Sequence, residues 1–381
     1  MKILPSVPGQ PEAIWFLEKA AARPHHAYLF SGPEGSGKQQ AARAFAAALL
    51  CPRGGCGECR ECRLALSDRH PNLVVVEPEG RDIRVGNGPD EHGTARWMVA
   101  WASRTAPEPG WKVFRVEQAD RMTPEAADVL LKALEEPTGG TVFILSSARP
   151  DELPETVRSR CQTVTFHPLA ESFVVETLMK EGIMEDRARL ATRVAGGNLG
   201  RARRIAADDQ GLAFRDAALE ALDAAGRGSA GALAAADRLM GAAKEYQKGL
   251  IKDLEAALEP FTDPETGVPL KQFRADIRRL EERHLRRERR AERDFLDWAL
   301  LAVEAVFRDA LLSAAGGESD WSINLDLPSR RLSASNAARA VEVIEEAREA
   351  LADETNLNVR LVVEDAFLRL SDVAAEAVSG T

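Results

Sequence analysis

A short apolar segment runs directly into a glycine-rich loop near the start of this 381-residue chain. Tyr28, Leu29 and Phe30 form the apolar segment, and residues 31–38 read Ser-Gly-Pro-Glu-Gly-Ser-Gly-Lys. This order is typical of a phosphate-binding loop, in which backbone N–H groups at the start of a helix cradle phosphate and the lysine contacts it. The candidate nucleotide-binding residues are Gly32, Gly35, Gly37, Lys38 and Gln39.

Gln39 stands where the phosphate-loop pattern ends in serine or threonine. That hydroxyl binds the magnesium ion on the β- and γ-phosphates, and a glutamine amide on a longer arm replaces it poorly. A hydrolytic site also needs acidic residues after a neighbouring strand, and here residues 113–116 are followed by Glu117 and Gln118. Gln118 cannot serve as a general base. The sequence therefore leaves binding of ATP or ADP open and predicts that the chain does not hydrolyse it.

Apolar segments alternate with helical patterns over the first part of the chain. Strands separated by helices predict an α/β fold with a parallel sheet that is covered on both faces. The predicted strands are 28–31, 73–76, 113–116 and 142–146, and the predicted helices are 11–22, 38–50 and 124–136.

The remaining chain has helical periodicity with little strand signal. Breaks fall at 259–269 and 315–329, where proline and glycine cluster. A helical bundle is the simplest interpretation of this part. We therefore predict three domains, an α/β nucleotide-binding-type domain at 1–168, a small helical domain at 169–208 and an all-α domain at 209–381.

Four of the five cysteines fall within twelve positions, in a glycine-rich segment. The spacing of four thiols in so short a segment suits a tetrahedral zinc ion with a structural role. The alternative is a set of buried or redox-active thiols. The predicted zinc ligands are Cys51, Cys56, Cys59 and Cys62.

The composition favours a cytoplasmic protein. The net charge is −10, which argues against a generally basic DNA-coating protein. The N-terminus shows no apolar signal region, and no apolar run approaches the roughly 18 residues of a membrane helix. Residues 271–293 carry a local excess of arginine. That segment is interpreted either as a phosphate-facing stripe or as a solvated helix with internal ion pairs.

Arg160 follows the predicted strand at 142–146 and a turn. An arginine presented at this place could reach the γ-phosphate held by a neighbouring subunit and stabilise transition-state charge in trans. The alternative is a surface arginine that pairs with a carboxylate.

Several segments together resemble one protein family, the delta-prime subunits of the clamp loader of bacterial DNA polymerase III, which belong to the AAA+ class. The resemblance is dense over residues 7–168 and extends to 197–202. It rests on Val7-Pro8-Gly9-Gln10, on residues 26–33, on the four-cysteine module, on 119–123, on 130–137 and on Ser159-Arg160-Cys161.

The resemblance implies a RecA-like AAA+ domain with a zinc module at 51–62, a helical lid domain and a C-terminal collar. It implies a stator subunit in a heteropentamer that does not hydrolyse ATP and that supplies Arg160 as an arginine finger to the neighbouring motor subunit. The implied partners are gamma/tau-type motor subunits, the delta subunit, the sliding clamp and primer–template DNA, with no membrane.

Three departures separate this chain from the motor subunits of such loaders. They are Gln39, the pair Glu117-Gln118, and Gly200 where a motor subunit has an arginine that contacts phosphate. The main alternative function is an ATP-hydrolysing gamma/tau-type motor, which the intact Lys38 favours. A free-standing zinc-dependent nucleic-acid-binding module is the other alternative.

Overall fold

The computed structural model divides the chain into two compact units. It describes residues 2–78, 82–137, 139–207, 212–258, 261, 274–352 and 358–379. Unit 1 comprises Met1–Lys180 and Gly196–Arg201, and unit 2 comprises Glu181–Ala195 and Ala202–Thr381. These units do not separate a domain at 169–208, so the three-domain division stays a prediction.

Unit 1 is built on one parallel sheet. Its strand order is β2-β3-β4-β1-β5, and every neighbouring pair is parallel. The four predicted strands are confirmed as β1 to β4, and β5 is a fifth strand that the sequence analysis missed. The strands are β1 (Ala27–Ser31), β2 (Leu73–Val76), β3 (Lys112–Val116), β4 (Thr141–Ser147) and β5 (Gln162–Thr165).

Helices cover both faces of this sheet because successive side chains of a strand point to opposite faces. Tyr28 and Phe30 of β1 pack in one core with Phe45, whereas Leu29 packs in the other core with Leu130. The helices of unit 1 are α1 (Pro11–Ala22), α2 (Lys38–Leu50), α3 (Arg60–Leu66), α4 (Ala95–Ser103), α5 (Pro124–Glu135), α6 (Glu155–Arg158) and α7 (Glu171–Lys180).

Strand order places the candidate site. Both β1 and β3 are neighbours of β4, and all three run in the same direction. The loops that follow β1 and β3 therefore leave the same edge of the sheet, which is where parallel α/β folds bind their ligands.

The regular secondary structure of unit 2 is helical, with no strand among its described residues. The predicted break at 315–329 lies between two of its helices, and of the break at 259–269 only Phe261 is described. Residues 271–273 and most side chains of 274–290 lie outside the description, so the arginine-rich segment stays uninterpreted. The remaining helices are α8 (Glu185–Val194), α9 (Leu199–Ala207), which begins in unit 1, α10 (Ala213–Ala225), α11 (Ser229–Leu258), α12 (Arg274–Ala314), α13 (Ala334–Ala352) and α14 (Val359–Ser379).

Among the described residues, none of the helices combines the length and the apolar character that crossing a membrane requires.

Candidate functional site

The phosphate loop connects β1 to α2. Gly35 has φ 78° and Gly37 has φ 88°, a left-handed conformation that glycine adopts without steric cost. This turn leads into Lys38, the first residue of α2, where unsatisfied N–H groups give a helix its partial positive charge. The structure thus places the candidate ligands on a strand–loop–helix unit, and nucleotide binding there stays a prediction.

Lys38 folds back onto its own loop. Its Nζ donates a hydrogen bond to the Pro33 carbonyl oxygen at 3.0 Å, and the residue is only 7% exposed. Burial lowers the pKa of the Lys38 ammonium, against the opposing influence of Glu34, Asp120 and Glu117. The ammonium is therefore held inside the loop by one hydrogen bond, and its other two N–H donors could contact a phosphate group.

Glu117, the acidic residue after β3, accepts hydrogen bonds from two side chains. Gln39 Nε2 donates to Glu117 Oε2 at 3.1 Å, and Arg115 Nε donates to Glu117 Oε1 at 3.1 Å. Glu117 is 7% exposed and Arg115 is fully buried. Both carboxylate oxygens therefore accept a hydrogen bond from the protein, and the glutamine that replaces the usual hydroxyl is one of the two donors.

Arg115 is fixed from its other side by Asp68. The two terminal nitrogens of Arg115 donate to the two Asp68 oxygens at 2.6 and 2.9 Å, a bidentate arrangement that stabilises a buried guanidinium. Arg43 Nη2 lies 3.3 Å from Asp68 Oδ2. The sequence analysis missed this pair, although a lone arginine inside the apolar segment Val113–Val116 was the signal that a carboxylate must come from elsewhere.

The two residues after β3 are Glu117 and Gln118. Burial raises the pKa of the Glu117 carboxyl, and Arg115 opposes that rise. Gln118 has a left-handed backbone with φ 49°. Its buried Oε1 accepts no hydrogen bond from the described residues. An amide neither carries the charge nor has the basicity needed to polarise an attacking water.

Asn198 lies directly on the phosphate loop. A Cβ added at Gly35 would meet the Asn198 Cγ at 2.1 Å, so the contact requires glycine at this position. Asn198 Oδ1 accepts the Arg201 N–H at 3.0 Å, which satisfies one N–H group in the first turn of α9. Gly200, which stands in place of the phosphate-contacting arginine of motor subunits, lies between these two residues.

Gln10 connects the phosphate loop to the segment after β5. Its Nε2 donates to the Ser36 carbonyl at 2.9 Å and to the His167 carbonyl at 2.6 Å. Its Oε1 accepts the His167 N–H at 3.2 Å. Gln10 is 4% exposed, so one buried amide satisfies three backbone groups. The segment Val7–Gln10, which carries part of the family resemblance, therefore has a structural role.

We expect Gln10→Ala to lower the free energy of unfolding by about 2 kcal/mol, since it leaves buried carbonyl and N–H groups without partners. Urea unfolding followed by circular dichroism measures this loss. Gln40→Ala is the matched control, because Gln40 is exposed on α2. Equal stability of the two variants would contradict the structural role of Gln10.

The four predicted metal ligands come together in unit 1. Their Sγ atoms all lie within 4.8 Å of one another. Cys51 Sγ is 3.8 Å from Cys56 Sγ and 3.6 Å from Cys59 Sγ, and Cys56 Sγ is 4.0 Å from Cys62 Sγ. A zinc ion bound tetrahedrally by four thiolates at about 2.3 Å separates the sulfurs by about 3.8 Å. The cluster could therefore hold a metal ion of this kind.

Backbone N–H groups point at these sulfurs. Arg53 N–H donates to Cys51 Sγ at 3.3 Å, and Gly57 N–H donates to Cys62 Sγ at 3.3 Å. The backbone N–H groups of Glu58 and Cys59 lower the pKa of the Cys56 thiol to about 6. Such donors favour thiolates, the form that binds a metal.

A second group, beside the cysteine module, does not suit a metal. It consists of Glu61, His70 and Glu108. His70 Nδ1 accepts the Asn72 N–H at 3.0 Å, so the ring hydrogen lies on Nε2, 2.7 Å from Glu61 Oε2. Arg60 reaches both glutamates. With both imidazole nitrogens and both carboxylates engaged, the group links α3 to the loop before β3.

Arg160 lies between α6 and β5. One terminal nitrogen donates to the Thr156 carbonyl at 2.8 Å, and the other donates to the Glu135 carboxylate. The Arg160 side chain is 34% exposed. The structure thus shows the pairing that the surface interpretation predicts, and donation in trans stays a prediction.

Comparisons with known proteins concern mainly the first half of the chain. Residues 9–170 match the family described as DNA polymerase III, delta subunit. The delta' subunit of Pseudomonas aeruginosa is 42% identical over 156 residues, covering 39% of this chain and 45% of that protein. The delta' subunit of Bacillus subtilis is 34% identical over 188 residues, covering 49% and 55%.

A tau subunit also matches. The DNA polymerase III subunit tau of Bacillus subtilis is 30% identical over 207 residues, covering 52% of this chain and 35% of that protein. The chain spans about half the length of the delta' relatives that it matches.

The parallel sheet with its phosphate loop defines an α/β fold, here with a cysteine module inserted after α2 and helical segments towards the C-terminus. Residues 9–170 are similar to the delta' subunits of DNA polymerase III. The resemblance stated from the sequence is confirmed.

Proposed function

We propose that this chain is a non-hydrolysing stator subunit of a bacterial replicative clamp loader. The observation that carries the proposal is the Glu117 carboxylate, which accepts hydrogen bonds from both Gln39 and Arg115. A magnesium ion would meet a carboxylate that is already bonded to two donors, and it lacks the hydroxyl that Gln39 replaces. The similarity to delta' subunits supports the same function.

The proposed partners follow from this function. They are gamma/tau-type motor subunits, a delta subunit, the sliding clamp and primer–template DNA, assembled in the cytoplasm as a heteropentamer. The helices of unit 2 are the candidate collar. The cysteine module would hold a structural zinc ion, because four thiolates leave no position open for water or substrate.

Arg160 is the proposed contribution of this chain to catalysis. A guanidinium supplied by one subunit can stabilise the charge that develops on phosphate held by another subunit. Its partial exposure at the end of α6 supports the proposal, because a buried arginine could not reach a second chain.

The motor subunit is the second candidate function. Two observations favour it, the intact Lys38 and the similarity to subunit tau. The two functions differ in one measurable property, which is hydrolysis of ATP by the isolated chain.

We expect the purified chain to show no Lys38-dependent ATP turnover in the presence of magnesium. The assay compares the wild type with Lys38→Ala, so that a contaminating ATPase is recognised by its indifference to the substitution. ATP turnover comparable to that of loader motors, if it is lost in Lys38→Ala, would overturn the stator proposal. The chain would then be assigned as a motor subunit.

A further inference from the structure

Glu135 is the acidic partner of Arg160 and comes from a different element. It is the last residue of α5, whereas Arg160 follows α6. The guanidinium is held at two points, by the Glu135 carboxylate and by the Thr156 carbonyl. Within the described residues its Nε donates to no other group, so the guanidinium keeps a donor for a further anion.

The place of Glu135 in its helix is not explained by helix stability. A helix C-terminus carries a partial negative charge, which disfavours a carboxylate and favours a basic residue. Glu136 follows immediately as the C-cap residue, so two acids end the helix. The ion pair with Arg160 offsets this cost for Glu135. Glu136, by contrast, has no ion pair within the described residues.

We propose that Glu135 is a positioning residue for Arg160, holding the guanidinium in the orientation in which it meets phosphate bound by a neighbouring subunit. This inference rests on the proposed function. The side chains of Arg160 and Glu135 are 34% and 47% exposed, so without a tether the arginine samples many rotamers. Fixing the guanidinium before the phosphate arrives lowers the conformational entropy that is lost at the moment of contact.

The elements that carry Thr156 and Glu135 restrict the orientation of the Arg160 guanidinium. Thr156 lies in α6, two residues after Pro154, and Glu135 ends a helix whose Leu130 and Leu134 are fully buried. Both points of attachment therefore belong to the packed frame of unit 1 rather than to a loop. The geometry fixes one side of the guanidinium against the protein.

The test is the ATPase of the complete loader, reconstituted with clamp and primed DNA and containing Glu135→Gln. The neutral amide keeps the size of the side chain and removes the charge. We expect kcat at the motor site that Arg160 contacts to fall about fivefold, the upper range for an exposed ion pair, with the KM for ATP at that site unchanged. Glu136→Gln is the matched control and should behave as the wild type.

A double-mutant cycle with Arg160→Ala separates positioning from a structural role. If Glu135 acts through Arg160, Glu135→Gln has no further effect once Arg160 is alanine. An equal loss in both backgrounds, an unchanged kcat or a raised kcat would overturn the inference while Arg160→Ala remains impaired. If Arg160→Ala itself leaves the ATPase unchanged, donation in trans fails and the role of Glu135 fails with it.

Discussion

Cys59→Ser is expected to abolish metal binding and to destabilise unit 1 by about 4 kcal/mol or more, in the range that loss of a structural metal reaches. Cys59 has two functions in the structure. Its Sγ lies 3.6 Å from Cys51 Sγ as part of the cluster. It also caps α3, because its sulfur accepts the Cys62 N–H at 3.4 Å.

The destabilisation caused by Cys59→Ser should extend beyond the cysteine module because α3 leads directly to Asp68. This residue comes two positions after the end of the helix and holds the buried guanidinium of Arg115. Loosening α3 would withdraw Asp68, the residue that makes the bidentate ion pair with Arg115. Removing one member of a buried ion pair is far more costly than losing a surface pair. The metal module and the phosphate site are thus connected through α3, the Asp68–Arg115–Glu117 ion pairs and the hydrogen bond from Gln39 to Glu117.

Metal analysis measures the loss of metal binding in Cys59→Ser, and urea unfolding measures the loss of stability. The wild type should contain about one zinc ion per chain and should lose stability when a chelator removes it. Cys161→Ser is the control for loss of a thiol, because Cys161 lies outside the cluster. A wild-type protein that is purified without metal, and whose stability a chelator does not change, would contradict this prediction.

Local patterns predicted the elements that surround the site. The apolar segments at 28–31 and 142–146 form neighbouring strands, and each supplies side chains to both cores. β5 was missed because it lies at the edge of the sheet and only Val164 of its Gln-Thr-Val-Thr sequence is buried. A strand with one buried side chain has no apolar run for the sequence to reveal.

Contacts between distant residues could not be predicted from the sequence. Gln39 and Glu117 were each identified as altered metal-site residues, but their direct hydrogen bond depends on the order of the strands. Asp68 and Arg115 are 47 positions apart, and no periodic pattern connects them. The same applies to Glu135 and Arg160, where sequence reasoning foresaw a carboxylate partner without identifying it.

These contacts also explain why a single reversion should not create a motor. Gln39→Thr would return the missing hydroxyl, yet Arg115 would still donate to Glu117, and Gln118 would still lack basicity. Gln39 lies on α2, Arg115 lies in β3 and Gln118 follows β3. The proposed loss of hydrolysis therefore depends on several elements of unit 1.

Arg160→Ala is expected to lower ATP turnover at the neighbouring motor site of the reconstituted loader about 1000-fold, the lower end of what an arginine supplied in trans contributes. The loss should appear in kcat, because the guanidinium acts on charge that develops in the transition state. ATP turnover by the whole complex would fall only by the fraction that this one motor site contributes. Assembly should be unaffected, since removing a partly exposed ion pair changes stability little.

Arg158→Ala provides the matched control. Arg158 lies in the same short segment, carries the same charge and pairs with the exposed Asp151 at 2.8 Å. A general loss of positive charge would impair both variants, whereas donation in trans impairs Arg160→Ala alone. Arg160→Lys should recover only part of the activity, because an ammonium keeps the charge without the planar fork of donors. A fully assembled complex with Arg160→Ala and wild-type turnover would remove Arg160 from the mechanism.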